Sequence, residues 1–166
     1  MINNEIYKPT TLHDLSNDLA DAIKIMTSAS NKLILILRDK TDVDAGKAIN
    51  SFVNSNQITK VNLGLQLSKY LFENDINTVN DYLTKELKTG QLLLVDNAEI
   101  LFDAEIAINA FTLFKNIARH QILVVVLDGR IDNKGRFIYG TSSNKDFSQY
   151  ENLTDTYIID LTRRVE

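Results

Sequence analysis

Three short, uninterrupted apolar runs constrain the fold of this chain more than any other feature. They are LILIL at 33–37, LLLV at 92–95 and ILVVVL at 122–127. A strand with one exposed face alternates apolar and polar residues, whereas a strand covered on both faces is continuously apolar. Segments with apolar residues at helical spacing separate the runs. The pattern predicts a single α/β domain over residues 1–166, with a mainly parallel sheet between two layers of helices.

Weaker signals complete this three-layer prediction. Residues 58–62 and 157–161 are further strand candidates, which brings the sheet to about five strands. Apolar residues at helical spacing predict an extra N-terminal helix over 11–28 and another helix over 104–119. The sequence Asn-Lys-Gly at 133–135 is typical of a tight turn, so we expect a small β-hairpin after the strongest strand.

Composition argues against several classes of function. The chain has no cysteine, and its two histidines, His13 and His120, are far apart without a ligand-spaced partner, which argues against a zinc site. A net charge of −4 provides no global basic field for nonspecific DNA binding. The longest apolar run, 122–127, is too short to span a membrane, and the N-terminal residues lack a signal-peptide pattern. We therefore expect a cytoplasmic protein without membrane association.

The polar stretch after the first apolar run has the outline of a phosphate-binding loop. Ligands of parallel α/β sheets bind at the carboxyl ends of the strands. After 33–37 comes RDKTDVDAGKAINSF, in which a helix is expected to begin near Gly46 and run to about Asn54. In a phosphate-binding loop, backbone N–H groups at the helix N-terminus and a lysine, here Lys47, contact the phosphates. The other interpretation of a Gly-Lys pair in a polar loop is a surface turn.

The match to such a loop is incomplete. Thr41 stands where the first glycine belongs, and Ala48 replaces the residue whose hydroxyl helps to hold Mg²⁺. Asp42 and Asp44 place negative charge beside a site meant for phosphate. These departures predict weak or absent hydrolysis.

The second candidate segment is LLLVDNAEILFD at 92–103. An apolar strand that ends in aspartate has the Walker B form, in which the acid orders Mg²⁺ and a nearby acid orients the attacking water. Asp96 is the candidate for the metal-side acid, Asn97 follows where a glutamate is usual, and Glu99 is the nearest candidate for the second acid. An ordinary strand followed by a polar turn explains the same residues, so both interpretations stay open.

A third segment follows the strongest strand. Asp128 and Arg130 are candidates for contact with the terminal phosphate of a nucleotide, and a solvated loop is the other interpretation. Residues 115–136 contain five basic and two acidic residues, and this strip includes Arg119 as a candidate arginine finger. Charged runs are usually solvated surface. Direct DNA binding is the weakest hypothesis, because the whole chain is acidic and lacks a basic, aromatic-rich sheet motif.

Together, these segments resemble the BrxF family, the small P-loop proteins of type 3 BREX phage-defence systems in bacteria. The resemblance covers roughly residues 30–162. It rests on the apolar strand with Gly46-Lys47, on VNLGLQLSKYL at 61–71, and above all on the pattern Asp-Asn-x-Glu-x-Leu-Phe at 96–102. It continues through a helix ending in Arg119 and a hairpin with Tyr139.

The resemblance implies a P-loop NTPase-like fold and roles for particular residues. It implies Lys47 as the phosphate lysine, Asp96 as the acid on the metal side and Glu99 as the second acid, with ATP and Mg²⁺ as the cofactors. The family has a complete phosphate loop, from which this chain departs at Ala48. The implied partners are other defence-system proteins, with a second copy of the chain as a further candidate and an indirect association with DNA. Two functions follow: a nucleotide-binding regulatory or assembly subunit, or a non-enzymatic scaffold that has lost its ligand.

Overall fold

The computed structural model describes residues 6–140, 148–150, 153 and 155–162. The strands are β1 (Tyr7–Pro9), β2 (Leu33–Arg38), β3 (Thr59–Asn62), β4 (Leu93–Asp96), β5 (Leu123–Asp128), β6 (Arg130–Ile131), β7 (Phe137–Tyr139), β8 (Ser148–Tyr150) and β9 (Tyr157–Asp160). The helices are α1 (Leu15–Met26), α2 (Val43–Ser55), α3 (Leu63–Glu73), α4 (Val79–Leu87) and α5 (Ala110–Ile117), with 3-10 turns at Ile76–Thr78 and Ala98–Phe102.

The main sheet has six parallel strands in the order β1-β9-β2-β5-β4-β3. The three continuous apolar runs form β2, β5 and β4, which are adjacent inside the sheet as expected. Val125 lies between Leu35 on one side and Val95 on the other. The sheet has one strand more than the five or so expected, because β1 pairs with β9 at the edge. Pro9 is tolerated there, since an edge strand leaves one side of its backbone unpaired.

Two apolar layers enclose this sheet. On one face, Leu33 and Leu35 belong to a core cluster with residues of α3, α4 and α5. On the other face, Ile34 and Ile36 pack in a second cluster with residues of α1 and α2. Successive residues of a strand point to opposite faces, so both layers require the uninterrupted apolar run. The result is a three-layer α/β fold with a mainly parallel sheet, compatible with a P-loop-like or Rossmann-like architecture.

The expected hairpin is part of a smaller antiparallel sheet, β6-β7-β8, that follows β5. Its turn is organised by Asp132, whose Oδ1 accepts the backbone N–H groups of Lys134 and Arg136 at 3.0 and 2.9 Å. The hairpin folds back closely over Gly129. A Cβ at that position would lie 2.4 Å from the ring of Phe137, so only glycine fits there without a rearrangement.

Helix boundaries were predicted less well than helix positions. The N-terminal helix, expected over 11–28, spans Leu15–Met26. The helix expected over 104–119 begins only at Ala110, because Asn109 caps it by accepting the N–H of Thr112 at 3.1 Å. Within the described part of the chain, no helix has the length and apolar character needed to cross a membrane.

Candidate functional site

The carboxyl ends of the three central strands bring three charged residues together. Arg38 ends β2, Asp128 ends β5 and Asp96 ends β4. Arg38 and Asp128 are cross-strand neighbours. The side chain of Arg38 reaches past β5, so that its Nη2 lies 3.2 Å from Oδ1 of Asp96. Arg38 is only 7% exposed, which makes this ion pair a buried element of the edge.

Asp96 has further partners. The ammonium group of Lys60, on the edge strand β3, lies 3.5 Å from Oδ2 of Asp96. The backbone N–H of Asn97 donates to Oδ1 at 2.8 Å. Two cations and one amide therefore balance the Walker B-like acid within the protein itself. Neither Arg38 nor Lys60 was a candidate site residue, because their contact with Asp96 depends on strand order and no local pattern indicates it.

These residues do not fit a Mg²⁺ site. Mg²⁺ requires carboxylate oxygens that face it together with water and substrate phosphate, whereas both oxygens of Asp96 face protein cations. In the described part of the chain, no three acidic or histidine side chains lie close enough to share a metal ion.

The N-terminus of α2 also differs from a phosphate-binding helix. We expected the helix to begin near Gly46, but it begins at Val43, because Asp42 caps it and accepts the N–H of Ala45 at 3.1 Å. Gly46 and Ala48 consequently lie inside the helix, and Lys47 lies exposed in its second turn. Phosphate binding needs free N–H groups at this end, whereas here an acidic side chain uses one of them.

A second acid, Asp39, accepts hydrogen bonds within the loop between β2 and α2. Asp39 accepts both the backbone N–H and the hydroxyl of Thr41, at 2.9 and 2.7 Å. The hydroxyl bond and then the backbone bond lower the pKa of Asp39. Burial, followed by the nearby charge of Asp39, raises the pKa of Asp128. Asp39 and Asp42 thus place two negative side chains in this loop, next to the positive charges of Arg38 and Lys40.

Glu99 connects the ends of β4 and β5. It lies in the 3-10 turn Ala98–Phe102, which starts after Asn97, a residue in the left-handed region with φ of 55°. Its Oε1 accepts the backbone N–H of Asp128 at 2.7 Å. Glu99 is 8% exposed, and its Oε2 is buried without a hydrogen-bond partner among the described residues.

A cleft of about 300 Å³ opens beside Glu99 at this edge of the sheet. Basic, acidic, amide and phenolic side chains contribute to its wall. The residues that line it are Lys40, Gly64, Asn97, Glu99, Ile100, Asp103 and Tyr139. The small sheet contributes Tyr139, at the end of β7, to this lining. The cleft is where the topology of a parallel sheet places ligands.

The two arginines of the basic strip that were candidate site residues, Arg119 and Arg130, lie at different places. Arg130 begins β6 on the carboxyl side and donates to the carbonyl of Gly140 at 3.4 Å. Arg119 follows α5 beside Ala118, whose carbonyl accepts the N–H of Lys32 immediately before β2. Arg119 is therefore at the amino edge of the sheet, away from Asp96 and Glu99. Its role as an arginine finger stays a prediction.

Comparisons with profiles of known protein families and with curated proteins found no match for this chain. The resemblance to the BrxF family thus stays an interpretation of its motifs.

Proposed function

We propose that this chain is a binding subunit that does not turn over nucleotide, acting as a regulatory or assembly component of a bacterial phage-defence complex of the BREX type. The resemblance to the BrxF family provides the biological context. The observation that carries the absence of turnover is the double engagement of Asp96 by Arg38 and Lys60.

The engagement of Asp96 has an energetic consequence. A Mg²⁺ ion at Asp96 would have to displace the guanidinium of Arg38 from a site where both side chains are largely buried. Separating a buried ion pair leaves an uncompensated charge and costs about 3–5 kcal/mol. The binding energy of the Mg²⁺ ion would have to offset this cost of separating Arg38 from Asp96 before it could assist hydrolysis.

Nucleotide binding without turnover is a second candidate function. It is favoured by the cleft at the carboxyl edge and by Lys40 in its wall, the one cation among the residues that line it. Against it stand Asp39 and Asp42 in the adjoining loop. ATP would be the cofactor on this interpretation, and its binding would not require Mg²⁺.

Direct DNA binding has less support. Two members of the basic strip are engaged locally, since Lys115 pairs with Asp155 at 3.2 Å and Arg136 pairs with Asp132 at 2.8 Å. Association with DNA through partner proteins is consistent with the acidic net charge of −4.

Calorimetric titration and turnover assays separate these functions. We expect ATP hydrolysis by the isolated chain to stay below about 1 s⁻¹, the low end of ordinary enzymes. Titration with ATP and ADP, with and without Mg²⁺, measures binding directly. Faster hydrolysis that Glu99→Gln removes and Asn97→Ala does not remove would contradict the proposal.

Capture from the native host tests the assembly role. Wild type, Lys47→Ala and the double variant Arg119→Ala/Arg130→Ala are used as baits, and captured proteins are identified by mass spectrometry. We expect the wild type and Lys47→Ala to capture defence-system proteins, and the double arginine variant to lose this capture. An ATP-induced rise in melting temperature that Lys47→Ala abolishes, together with loss of capture by that variant, would instead favour a nucleotide-dependent switch.

A further inference from the structure

The first strand, β1, is held at the edge of the main sheet chiefly by polar contacts. Tyr7 is half-buried, and both Lys8 and Pro9 are exposed, so β1 adds no fully buried apolar side chain to the core. In the main sheet β1 pairs with β9 alone. Local stability is lowest where few apolar contacts hold an element. Detachment of β1 from β9 should therefore cost less free energy than unfolding of the domain.

Two buried acids bind the side chains of this strand. The hydroxyl of Tyr7 donates to Oδ2 of Asp160 at 2.5 Å, and Asp160 is fully buried at the end of β9. The ammonium group of Lys8 lies 2.8 Å from Oδ1 of Asp18, a buried residue of α1. The hydroxyl of Thr10 donates to Oδ2 of the same Asp18 at 3.0 Å. The β9 edge, together with α1, thus forms a site for a strand that carries a phenol, an ammonium and a hydroxyl group in this order.

The backbone fixes the register of the strand in this site. The N–H of Ile158 donates to the carbonyl of Ile6 at 2.6 Å, and the N–H of Thr10 donates to the carbonyl of Asp160 at 2.9 Å. Successive N–H groups of a strand point to opposite sides, so the nitrogen of Pro9 lies on the outer side of β1. Proline has no N–H to donate to a further strand. The edge therefore accepts one strand, after which the sheet ends.

We infer that the edge of β9 is a strand-binding site in which β1 of a second copy of this chain replaces the chain's own β1. Reciprocal replacement recreates the same contacts in both copies, and exchange of an identical element is a low-cost route to a dimer. The turn at 11–14 is the hinge. It is held by exposed hydrogen bonds between Thr11 and Asp14, at 3.1 and 3.2 Å. This inference is independent of the carboxyl-edge cleft and of the proposed role in phage defence.

The chain's own strand competes with a strand from another molecule. A short tether gives the chain's own β1 an effective concentration in the millimolar range. Exchange between copies should therefore become measurable at millimolar protein concentration. A free peptide with the sequence of β1 should bind at similar concentrations, because it competes for the same edge.

Hydrogen exchange measured by NMR tests the detachment of β1. The N–H of Ile158 faces β1, whereas the N–H of Leu161 donates to the carbonyl of Leu37 on β2 at 2.8 Å and is the internal control. We expect Ile158 and Thr10 to exchange at least about tenfold faster than Leu161, because local opening releases them. Equal exchange rates of Ile158 and Leu161 would overturn the inference, since β1 would then leave the sheet only on global unfolding.

Fluorescence anisotropy of a labelled peptide of residues 6–12 tests the site in the full-length chain. Lys8→Gln in the chain should strengthen binding of the unaltered peptide by about twofold to fivefold, because the competing strand is weakened. Lys8→Gln in the peptide should weaken binding to the unaltered chain by a similar factor. Lys24→Gln, at an exposed position on α1, is the matched control and should change nothing. Absence of peptide binding, or a change of the same sign in both experiments, would overturn the inference.

Sedimentation equilibrium identifies the second copy as the occupant. We expect a dimer at millimolar protein concentration that an excess of the 6–12 peptide dissociates, because the peptide fills the edge in both copies. A chain that stays monomeric at this concentration would overturn exchange between copies, even if the peptide binds. A dimer that the peptide leaves intact would overturn it as well, since its interface would lie elsewhere. Neither result depends on nucleotide hydrolysis or on capture from the native host.

Discussion

At the residue scale, Arg38 and the acids around it determine the electrostatics of the carboxyl edge. Arg38 ends β2, next to Asp128 on β5, and its guanidinium pairs with Asp96 on β4. The charge of Asp39, the residue after Arg38, contributes to the raised pKa of Asp128. Because Arg38, Asp96 and Asp128 are partly or largely buried, single substitutions should have measurable effects on stability.

Replacing Arg38 should destabilise the domain through the acid it leaves behind. Arg38→Met keeps much of the side-chain volume but removes the main buried partner of Asp96. We expect the free energy of unfolding to fall by about 2–4 kcal/mol. This is somewhat less than the cost of a buried charge with no partner, because Lys60 still pairs with Asp96. Asp96→Asn in the same background should recover part of the loss. Chemical denaturation of both single variants and the double variant measures the coupling, and strictly additive effects would contradict a direct interaction.

Asp128 and Asp39 should affect the pH dependence of stability with opposite signs. The folded-state pKa of Asp128 is raised above 3.8, so the folded protein holds its proton more tightly and loses stability as pH rises from 3.8 through the raised value. Asp128→Asn should therefore stabilise the protein at pH 7, and the gain should vanish as pH falls through that window.

The matched control is Asp39, whose pKa is lowered from 3.8. It contributes stability above 3.8 that is lost as pH falls through its folded-state pKa, so Asp39→Asn should destabilise the protein at pH 7. Denaturation curves for both variants at several pH values measure these trends. A destabilising Asp128→Asn at pH 7 would contradict the assignment of burial as the dominant cause.

At the element scale, α2 is an ordinary capped helix where a phosphate-binding loop was expected. Asp42 caps the helix, Asp44 lies in its first turn, and Gly46 is inside it with no atom within 4 Å of the position of a Cβ. Negative residues in the first turn stabilise a helix through its dipole. The same charges oppose the binding of phosphate at that end.

Gly46→Ala distinguishes a helix interior from a phosphate loop. Alanine has room at position 46 and a higher helix propensity than glycine, so the substitution should stabilise the domain by about 0.4–1 kcal/mol. Gly129→Ala is the contrasting control and should destabilise it, because the ring of Phe137 occupies the space of the new methyl group. Thermal denaturation measures both, and destabilisation by Gly46→Ala would indicate that α2 begins later than Val43.

At the scale of the whole molecule, the parallel sheet depends on the interior of β5. Val125 is fully buried and is flanked by Leu35 on β2 and Val95 on β4. Both helix layers pack against the central strands, so a substitution that disrupts β5 at Val125 should destabilise the whole domain.

Val125→Asp should abolish cooperative folding. An unpaired charge at this position costs several kcal/mol, against a total stability of roughly 5–15 kcal/mol for a domain of this type. Val43→Asp is the matched control, since Val43 is 66% exposed in the first turn of α2, where an acid is favourable. Circular dichroism and thermal melting measure both. A soluble Val125→Asp protein with a sharp transition would show that β5 is not the centre of the core.

What the sequence determined by itself is the set of buried strands and the class of fold. The runs that became β2, β4 and β5 are apolar at every position because both faces are covered, and this requirement is local enough to be read from the chain. Tertiary structure alone decided that β5 separates β2 from β4 and that Arg38 and Lys60 meet at Asp96, since contacts between parallel strands join residues far apart in sequence. It also decided that α2 begins at Val43 with Asp42 as its cap, where the sequence analysis placed the helix start near Gly46, because the bond from the N–H of Ala45 to Asp42 exists only in the folded chain.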